Sequence, residues 1–492
     1  MPSYLTGSFG NLVIALMAIF IFLIVAFELY RPKATRVDFL SAFSALFVLY
    51  YPLIIIFYVT SFDDIVKANP SVAVQQFAKF DLEVVAAVIV GYVMTVIGFY
   101  SRGALRLANK IQIVPRARVT TDAWTAFGFF IFAFLCTVLY TLQFGGPVEA
   151  LSQASVIRSG HIQAGPLAFL RKLLPTAQVA TLLCFAFLVE KRWQDEDRPD
   201  SHLIRNAVIA LLILSFSLLI YIQLLRSSRG AIIIFFLIVY TSLVVRKGSL
   251  MPILLLIVGG AASFFLMIGD DLFLSFRALQ DGGGLQDVWI ALTGPSEPDM
   301  VTEETPLLLG YFQQFQHLIP SLFGSLTVVP AQPDELRWFA DWIYGVLSLL
   351  PESLIPIETP ASVTVYNTYV LLGLWESTIP PGLLAFGVYS MWWPGLVIYC
   401  LAIGWAGRFI QTVLLPSRVN CFWRYVMYAQ FIFVWAMGLV DGDPRLTVRS
   451  YFVYVGWLLL AMVILNRVTI RKPASISIPN IAQSRPKTSS GR

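Results

Sequence analysis

Apolar stretches of about twenty residues recur along this chain, and they restrict its fold more than any other feature. They cover 10–30, 39–60, 82–101, 122–142, 168–189, 206–225, 230–246, 250–268, 383–407, 421–440 and 451–466. Twenty apolar residues in a helix match the thickness of a bilayer's hydrocarbon core. Only 13% of the 492 residues are charged and 58% are hydrophobic, against about 25% charged in soluble domains. A membrane β-barrel would show short alternating segments instead. The expected class is an all-α polytopic membrane protein with about eleven spans. Met1–Gly10 is polar and uncharged, so no removable signal peptide is expected.

The segments between the runs alternate in charge. One set holds Arg31, Lys33 and Arg36, then the cations of 102–118, 191–205, 246–247 and 408–424, and finally those after Leu465. These account for 23 of the 34 Lys and Arg residues. The positive-inside rule puts this set in the cytoplasm, which leaves the N-terminus outside and the C-terminus inside. The division that follows is 1–268, eight spans; 269–382, a large outer loop; 383–466, three spans; and 467–492, a disordered cytoplasmic tail rich in Ser, Pro and cations. The 101–121 segment has the pattern of a basic amphipathic stretch on an anionic leaflet, although topology signalling alone accounts for it. A loop of more than 100 residues is usually functional or disordered. Trp289, Phe312, Trp338, Trp342 and Tyr344, with amphipathic pieces at Leu307–Phe323 and Leu336–Leu350, point to short helices folded over the bundle around a cavity.

Two arginines, Arg226 and Arg229, stand in the turn Arg226-Ser227-Ser228-Arg229-Gly230 between two apolar runs. Each costs about 2.5–3.5 kcal/mol at a helix centre on an insertion scale, so a tight hairpin should hold both at a membrane face. The topology makes that the outer face, where cations are few. Guanidinium forks suit bidentate phosphate recognition, so the functional reading is a pyrophosphate site. Snorkelling helix-end arginines are the bland alternative. Arg445 and Arg449, four residues apart, and Arg277 join the same candidate set. Arg158-Ser159-Gly160-His161 adds Arg158 for phosphate and His161 for a sugar hydroxyl. Gln313-Gln314-Phe315-Gln316-His317 supplies Gln313 as a sugar-binding amide and His317 as a base near neutral pH. Glu376 precedes Pro380-Pro381-Gly382 and is the other candidate base; that Pro-Pro-Gly breaks the helix at the outer edge and suggests re-entrant or broken backbone. Asp441-Gly442-Asp443 looks like an Asp-x-Asp metal motif but reads as a turn. Cys136, Cys184, Cys400 and Cys421 fall in or at the ends of apolar runs without metal spacing, and the three histidines share no helical turn. No metal site and no cofactor are expected, and nothing points to nucleic acid.

Ser228-Arg229-Gly230 opening a span, Leu349-Leu350-Pro351-Glu352-Ser353-Leu354-Ile355-Pro356 late in the loop, and Pro380-Pro381-Gly382 followed by Phe386-Gly387 and Pro394-Gly395 resemble the bacterial O-antigen and oligosaccharide repeat-unit polymerases (Wzy-type), relatives of the O-antigen ligases. The resemblance covers the second half of the chain. It implies a GT-C-like, multi-pass glycosyltransferase of the bacterial inner membrane, active on the periplasmic side. Its substrate would be an undecaprenyl-pyrophosphate-linked oligosaccharide. A membrane lipid environment, a chain-length regulator and a flippase would be its partners. It also implies that arginines bind the pyrophosphate, a role that passes to Arg226 and Arg229 and less directly to Arg158 and Arg445; the base is not assigned by it. An O-antigen ligase and a transporter of lipid-linked glycans are the rival readings. A transporter should show paired half-structures, which the sequence lacks.

Overall fold

The computed structural model describes residues 8–60, 81–114, 123–154, 167–190, 201–226, 229–279, 284–293, 317–350, 359–373, 379–415, 422–466 and 469–471. In chain order the helices are α1 (Ser8–Tyr30), α2 (Phe39–Tyr50), α3 (Pro52–Thr60), α4 (Leu82–Phe99), α5 (Arg102–Lys110), α6 (Ala123–Leu142), α7 (Pro147–Ser152), α8 (Thr176–Val189), α9 (Ser201–Leu225), α10 (Arg229–Lys247), α11 (Pro252–Ser275), α12 (Leu285–Thr293), α13 (Leu318–Ala331), α14 (Ala340–Leu347), α15 (Val363–Leu372), α16 (Gly382–Leu414), α17 (Phe422–Asp441), α18 (Pro444–Thr447) and α19 (Val453–Asn466). Strands β1 (Gln112–Val114) and β2 (Thr469–Arg471) pair antiparallel. A helix occupies each apolar run. Among the described residues, seven helical stretches are long and apolar enough to cross a membrane: Ser8–Tyr30, Phe39–Thr60, Leu82–Phe99, Ala123–Leu142, Phe169–Val189, His202–Leu225 and Gly382–Leu414, the last divided by a kink at Met391 and Trp392. Large apolar side chains such as Phe22, Trp124 and Ile253 face outward, as a lipid solvent permits. The chain is a helical membrane protein.

Contacts between the linkers collect the basic segments at one end of the bundle. Arg36 Nε donates to Gly248 O (3.1 Å), and the Phe39 N–H donates to Gln411 Oε1 (3.0 Å). Arg246 Nη1 donates to Val189 O (3.2 Å), and Phe422 N donates to Glu190 Oε1 (2.5 Å). The β1–β2 pairing joins the segment after α5 to the segment after α19. Helix α5 is amphipathic: Ala104 and Ala108 are buried, while Arg102 and Arg106 are exposed.

The longest helix is not straight. Met391 and Trp392 leave helical geometry, with φ/ψ of −154°/32° and 53°/−139°. Residues 387 and 395 would lie about 12 Å apart along a straight helix. Instead, a Cβ on Gly395 would come within 2.2 Å of Gly387 O, and the rings of Phe386 and Tyr399 are 4.7 Å apart. α16 is therefore a helical hairpin: a short arm, Gly382 to Ser390, packed against a long arm that begins near Trp393. Pro380-Pro381-Gly382 opens the short arm, and the chain reverses further on, at Met391 and Trp392. The tip is pinned where Trp393 Nε1 donates to Glu83 Oε1 (3.0 Å) in the first turn of α4. Carbonyls at the end of the short arm would otherwise be orphaned. The Arg337 N–H donates to Tyr389 O (3.1 Å) and the Trp338 N–H to Ser390 O (3.0 Å). Trp338 and Phe339 adopt φ of 50° and 58° to do so, a strained region for aromatic residues. The segment that carries Arg337 and Trp338 thus closes over the hairpin with short helices. They run Leu318–Ala331 and Ala340–Leu347, and residues 307–316 lie outside the described set.

A candidate anion site at the end opposite the basic linkers

The segment Asp441–Tyr454 organises this end. It leaves α17, turns at Gly442 (φ 55°), forms α18, and passes through a π-helical turn, Val448–Phe452, into α19. Single π turns inside helices often mark functional sites. Asp441-Gly442-Asp443 forms the turn between α17 and α18, as expected. Asp443 is fully buried and caps α18 by accepting from the Arg445 N–H (2.8 Å). Its other oxygen accepts from the Thr364 hydroxyl (2.6 Å), which ties α15 to the segment. Gly442 packs directly on Gly382, where a Cβ would meet Gly382 O at 2.0 Å.

Arg226 ends α9 and meets this segment from the side. Its Nη1 donates to Tyr454 Oη (2.7 Å), and its guanidinium lies 5.8 Å from the centre of that ring. Tyr451 donates to Asp441 and lies within electrostatic range of Arg226. Tyr140, at the end of α6, is in range of both Arg226 and Arg171. One turn before Arg226, Gln223 is 1% exposed, and among the described residues neither its amide nitrogen nor its oxygen has a partner. Buried amides are rarely left so, and this one sits on the helix face that carries Arg226.

Arg445 stands at the other end of the segment in a charge cluster. Its Nη1 donates to Pro360 O (2.6 Å), its Nε lies 3.2 Å from Asp341 Oδ1, and its guanidinium covers the Tyr344 ring at 4.9 Å. Asp341 is also gripped by both sides of the Arg337 fork, at 2.6 and 2.9 Å. One buried carboxylate therefore serves two arginines, and Asp443 is a second buried carboxylate within electrostatic range of Arg445. Burial pushes the Arg445 guanidinium below its ordinary value; Asp341 opposes the shift and Arg337 reinforces it. Its Nη2 is buried and has no hydrogen-bond partner among the described residues. Next to it, Tyr366 donates to Glu335, and burial together with that carboxylate raises the phenol's pKa.

The predicted residues are distributed as follows. Arg226 meets the 441–454 segment at Tyr454, and Arg445 is part of that segment. Arg449 is exposed within the π turn. His317 is half-buried at the start of α13, where its carbonyl accepts from Ser321 Oγ (2.7 Å). Asn367 Nδ2 joins Ser321 to Ile379 O, at 2.9 Å each. For Arg229 and Arg277 the backbone alone is described, in α10 and in the 3₁₀ turn Phe276–Leu279. Arg158, His161, Gln313 and Glu376 lie outside the described residues. Sequence reasoning missed Arg337, Asp341, Tyr451, Tyr454 and Gln223. Only the i,i+4 spacing of Arg337 and Asp341 within the amphipathic Leu336–Leu350 piece signalled one of these pairs.

The fold is that of a helical membrane protein, with Arg226, Arg337 and Arg445 gathered at the end away from its basic linkers. Comparisons with protein-family models, with curated proteins and with solved structures find no match. Among the described residues no group of three or more His, Cys, Asp or Glu could hold a metal ion.

Proposed function

We propose that the chain is a glycosyltransferase that polymerises polyprenyl-pyrophosphate-linked oligosaccharide repeat units. It would cross the bacterial cytoplasmic membrane eleven times, with the N-terminus outside and the C-terminus in the cytoplasm. The site would then face the exterior, and a chain-length regulator and a flippase of the same pathway would be its partners. The observation that carries the reading is that Arg226, bonded to Tyr454, and Arg445, beside Arg337, stand at the two ends of the 441–454 segment, where the Gln223 amide and Arg445 Nη2 have no partner among the described residues. These groups would offer cations and unpaired donors to a lipid-borne pyrophosphate at the membrane boundary, away from the basic linkers.

The chemistry is a displacement at an anomeric carbon. An acceptor sugar hydroxyl forms the new bond to that carbon. The bond from carbon to pyrophosphate oxygen breaks, and its electron pair leaves with the lipid pyrophosphate. Arg226 and Arg229, joined by Arg445, Arg158, Arg277 and Arg449, would stabilise the charge that develops there. The hydroxyl proton passes to a base, for which Glu376 and His317 are the proposed residues. His161 and Gln313 would hold sugar hydroxyls, and Gln223 adds an amide beside Arg226. Incubating the purified protein with a lipid-linked repeat unit tests this: glycan ladders with release of polyprenyl pyrophosphate are expected, and bound but unreacted substrate would favour transport instead.

A further inference from the structure

The end that collects the basic linkers holds a cavity of about 690 Å³ that the proposed reaction does not use. It is lined by Glu28, Arg31, Lys33 and Arg36, by the backbone turn at Gly248, and by the apolar side chains of Leu29, Val245 and Leu250. Its inner wall is a rigid polar lattice. Arg31 is 7% exposed and donates to Glu28 Oε1 (2.7 Å) and to both oxygens of Asp38 (2.8 and 2.5 Å). Ser41 and Ser44 donate to Glu28, each at 3.0 Å. The buried charges of this wall cancel, because Glu28 and Asp38 face Arg31 and Lys33, the latter with Nζ at 3.2 Å from Glu28 Oε2. Arg36 is not cancelled. Its only side-chain hydrogen bond among the described residues is from Nε to Gly248 O (3.1 Å), so its two Nη groups are free for a ligand, and Arg246 and Lys247 close the neighbouring helix. Lys33 and Arg36 are exposed.

The opposite wall is apolar and open. Leu29 and Leu250 are 76% and 62% exposed, and Tyr30 and Ile253 beside them are 89% and 75% exposed. Those values suit side chains that meet lipid at the interfacial level. One surplus positive charge, at Arg36 beside Lys33, facing exposed aliphatic residues in a cavity built on a fixed polar wall, matches a ligand with an anionic phosphate and hydrocarbon tails. A soluble phosphate would leave the aliphatic side without a partner. We infer that this cavity is a binding site for an anionic glycerophospholipid, with its phosphate between Lys33 and Arg36 and its tails along Leu29 and Leu250. The site would fasten the loop between α1 and α2 to the α10–α11 turn, two segments that the protein itself joins through the Arg36–Gly248 bond.

Native mass spectrometry of the full-length protein, titrated with dioleoyl phosphatidylglycerol or dioleoyl phosphatidylcholine, tests it. One tightly retained phosphatidylglycerol is expected, with weaker retention of phosphatidylcholine. Removing both cations, Lys33→Gln with Arg36→Gln, should weaken retention about 25-fold, near fivefold per charge. Leu250→Glu, which leaves both cations in place, should also expel the lipid. Arg102→Gln with Arg106→Gln, an equal loss of charge on α5, should leave retention unchanged. Equal loss from the α5 variant would reduce the effect to general surface charge and overturn the proposal. Equal retention of the two lipids, or displacement of the lipid by millimolar inorganic phosphate, would overturn it as well. None of these outcomes depends on glycosyl transfer.

Discussion

Asp341→Asn is the substitution whose cost the structure defines best. The carboxylate is 1% exposed, accepts two hydrogen bonds from Arg337 and sits 3.2 Å from Arg445 Nε. Asparagine keeps the shape, removes the negative charge and turns an NH₂ toward a guanidinium. Each arginine then retains one carbonyl: Ala361 O for Arg337 and Pro360 O for Arg445, both at 2.6 Å. Breaking a buried ion pair from one side costs about 3–5 kcal/mol. Both arginine side chains keep 13% exposure and a carbonyl partner, so the lower end, about 3 kcal/mol, is expected. Thermal unfolding of the detergent-purified variant should show a midpoint lower by something on the order of 5 °C. Adding Arg445→Met to Asp341→Asn should recover part of the loss, because one of the two unbalanced charges is gone. A midpoint unchanged in Asp341→Asn, or a double variant worse than the single, would refute the shared-carboxylate account.

Other outcomes follow from particular contacts. Gly442→Ala should destabilise the protein by at least about 2 kcal/mol, since its Cβ would collide with Gly382 O at a positive φ; normal expression and melting would deny the close contact. Tyr454→Phe removes the oxygen that accepts from Arg226 but keeps the ring, so polymerisation should fall about tenfold, the worth of one charge-assisted hydrogen bond, with the melting midpoint nearly unchanged. The raised Tyr366 phenol keeps its proton in the folded state where the unfolded chain loses it, above the ordinary value of 10.0. Its contribution is thus complete below pH 10 and is lost as pH rises further; Tyr366→Phe should flatten that alkaline decline in a pH series of melting curves.

The helices were legible because a bilayer demands long apolar runs, and every such run carries a helix here. The break in α16 was half legible. Pro380-Pro381-Gly382 signalled interrupted backbone, but the reversal at Met391 and Trp392 depends on Gly387 and Gly395 meeting eight residues apart, a tertiary contact with no local signature. Arg226 stood out because a charge between apolar runs is costly. Its partner Tyr454 did not, since a tyrosine in an apolar run looks like any interfacial aromatic. The Arg337–Asp341–Arg445 cluster joins positions more than 100 residues apart, and neither arginine is unusual in its own segment. Asp443 was correctly read as part of a turn, yet its buried bond to Thr364 follows only from the way α15 packs.

The central claim is that arginines at this end bind the pyrophosphate of a lipid-linked glycan and discharge it as the leaving group. The most direct test places Arg226→Gln beside the unaltered protein, both reconstituted in vesicles with a purified polyprenyl-pyrophosphate-linked repeat unit. The account predicts ladders and stoichiometric release of polyprenyl pyrophosphate from the unaltered protein, and neither from a variant that melts at the same temperature. Ladders of normal length from Arg226→Gln, or a repeat unit that the unaltered protein binds and leaves intact, would contradict it.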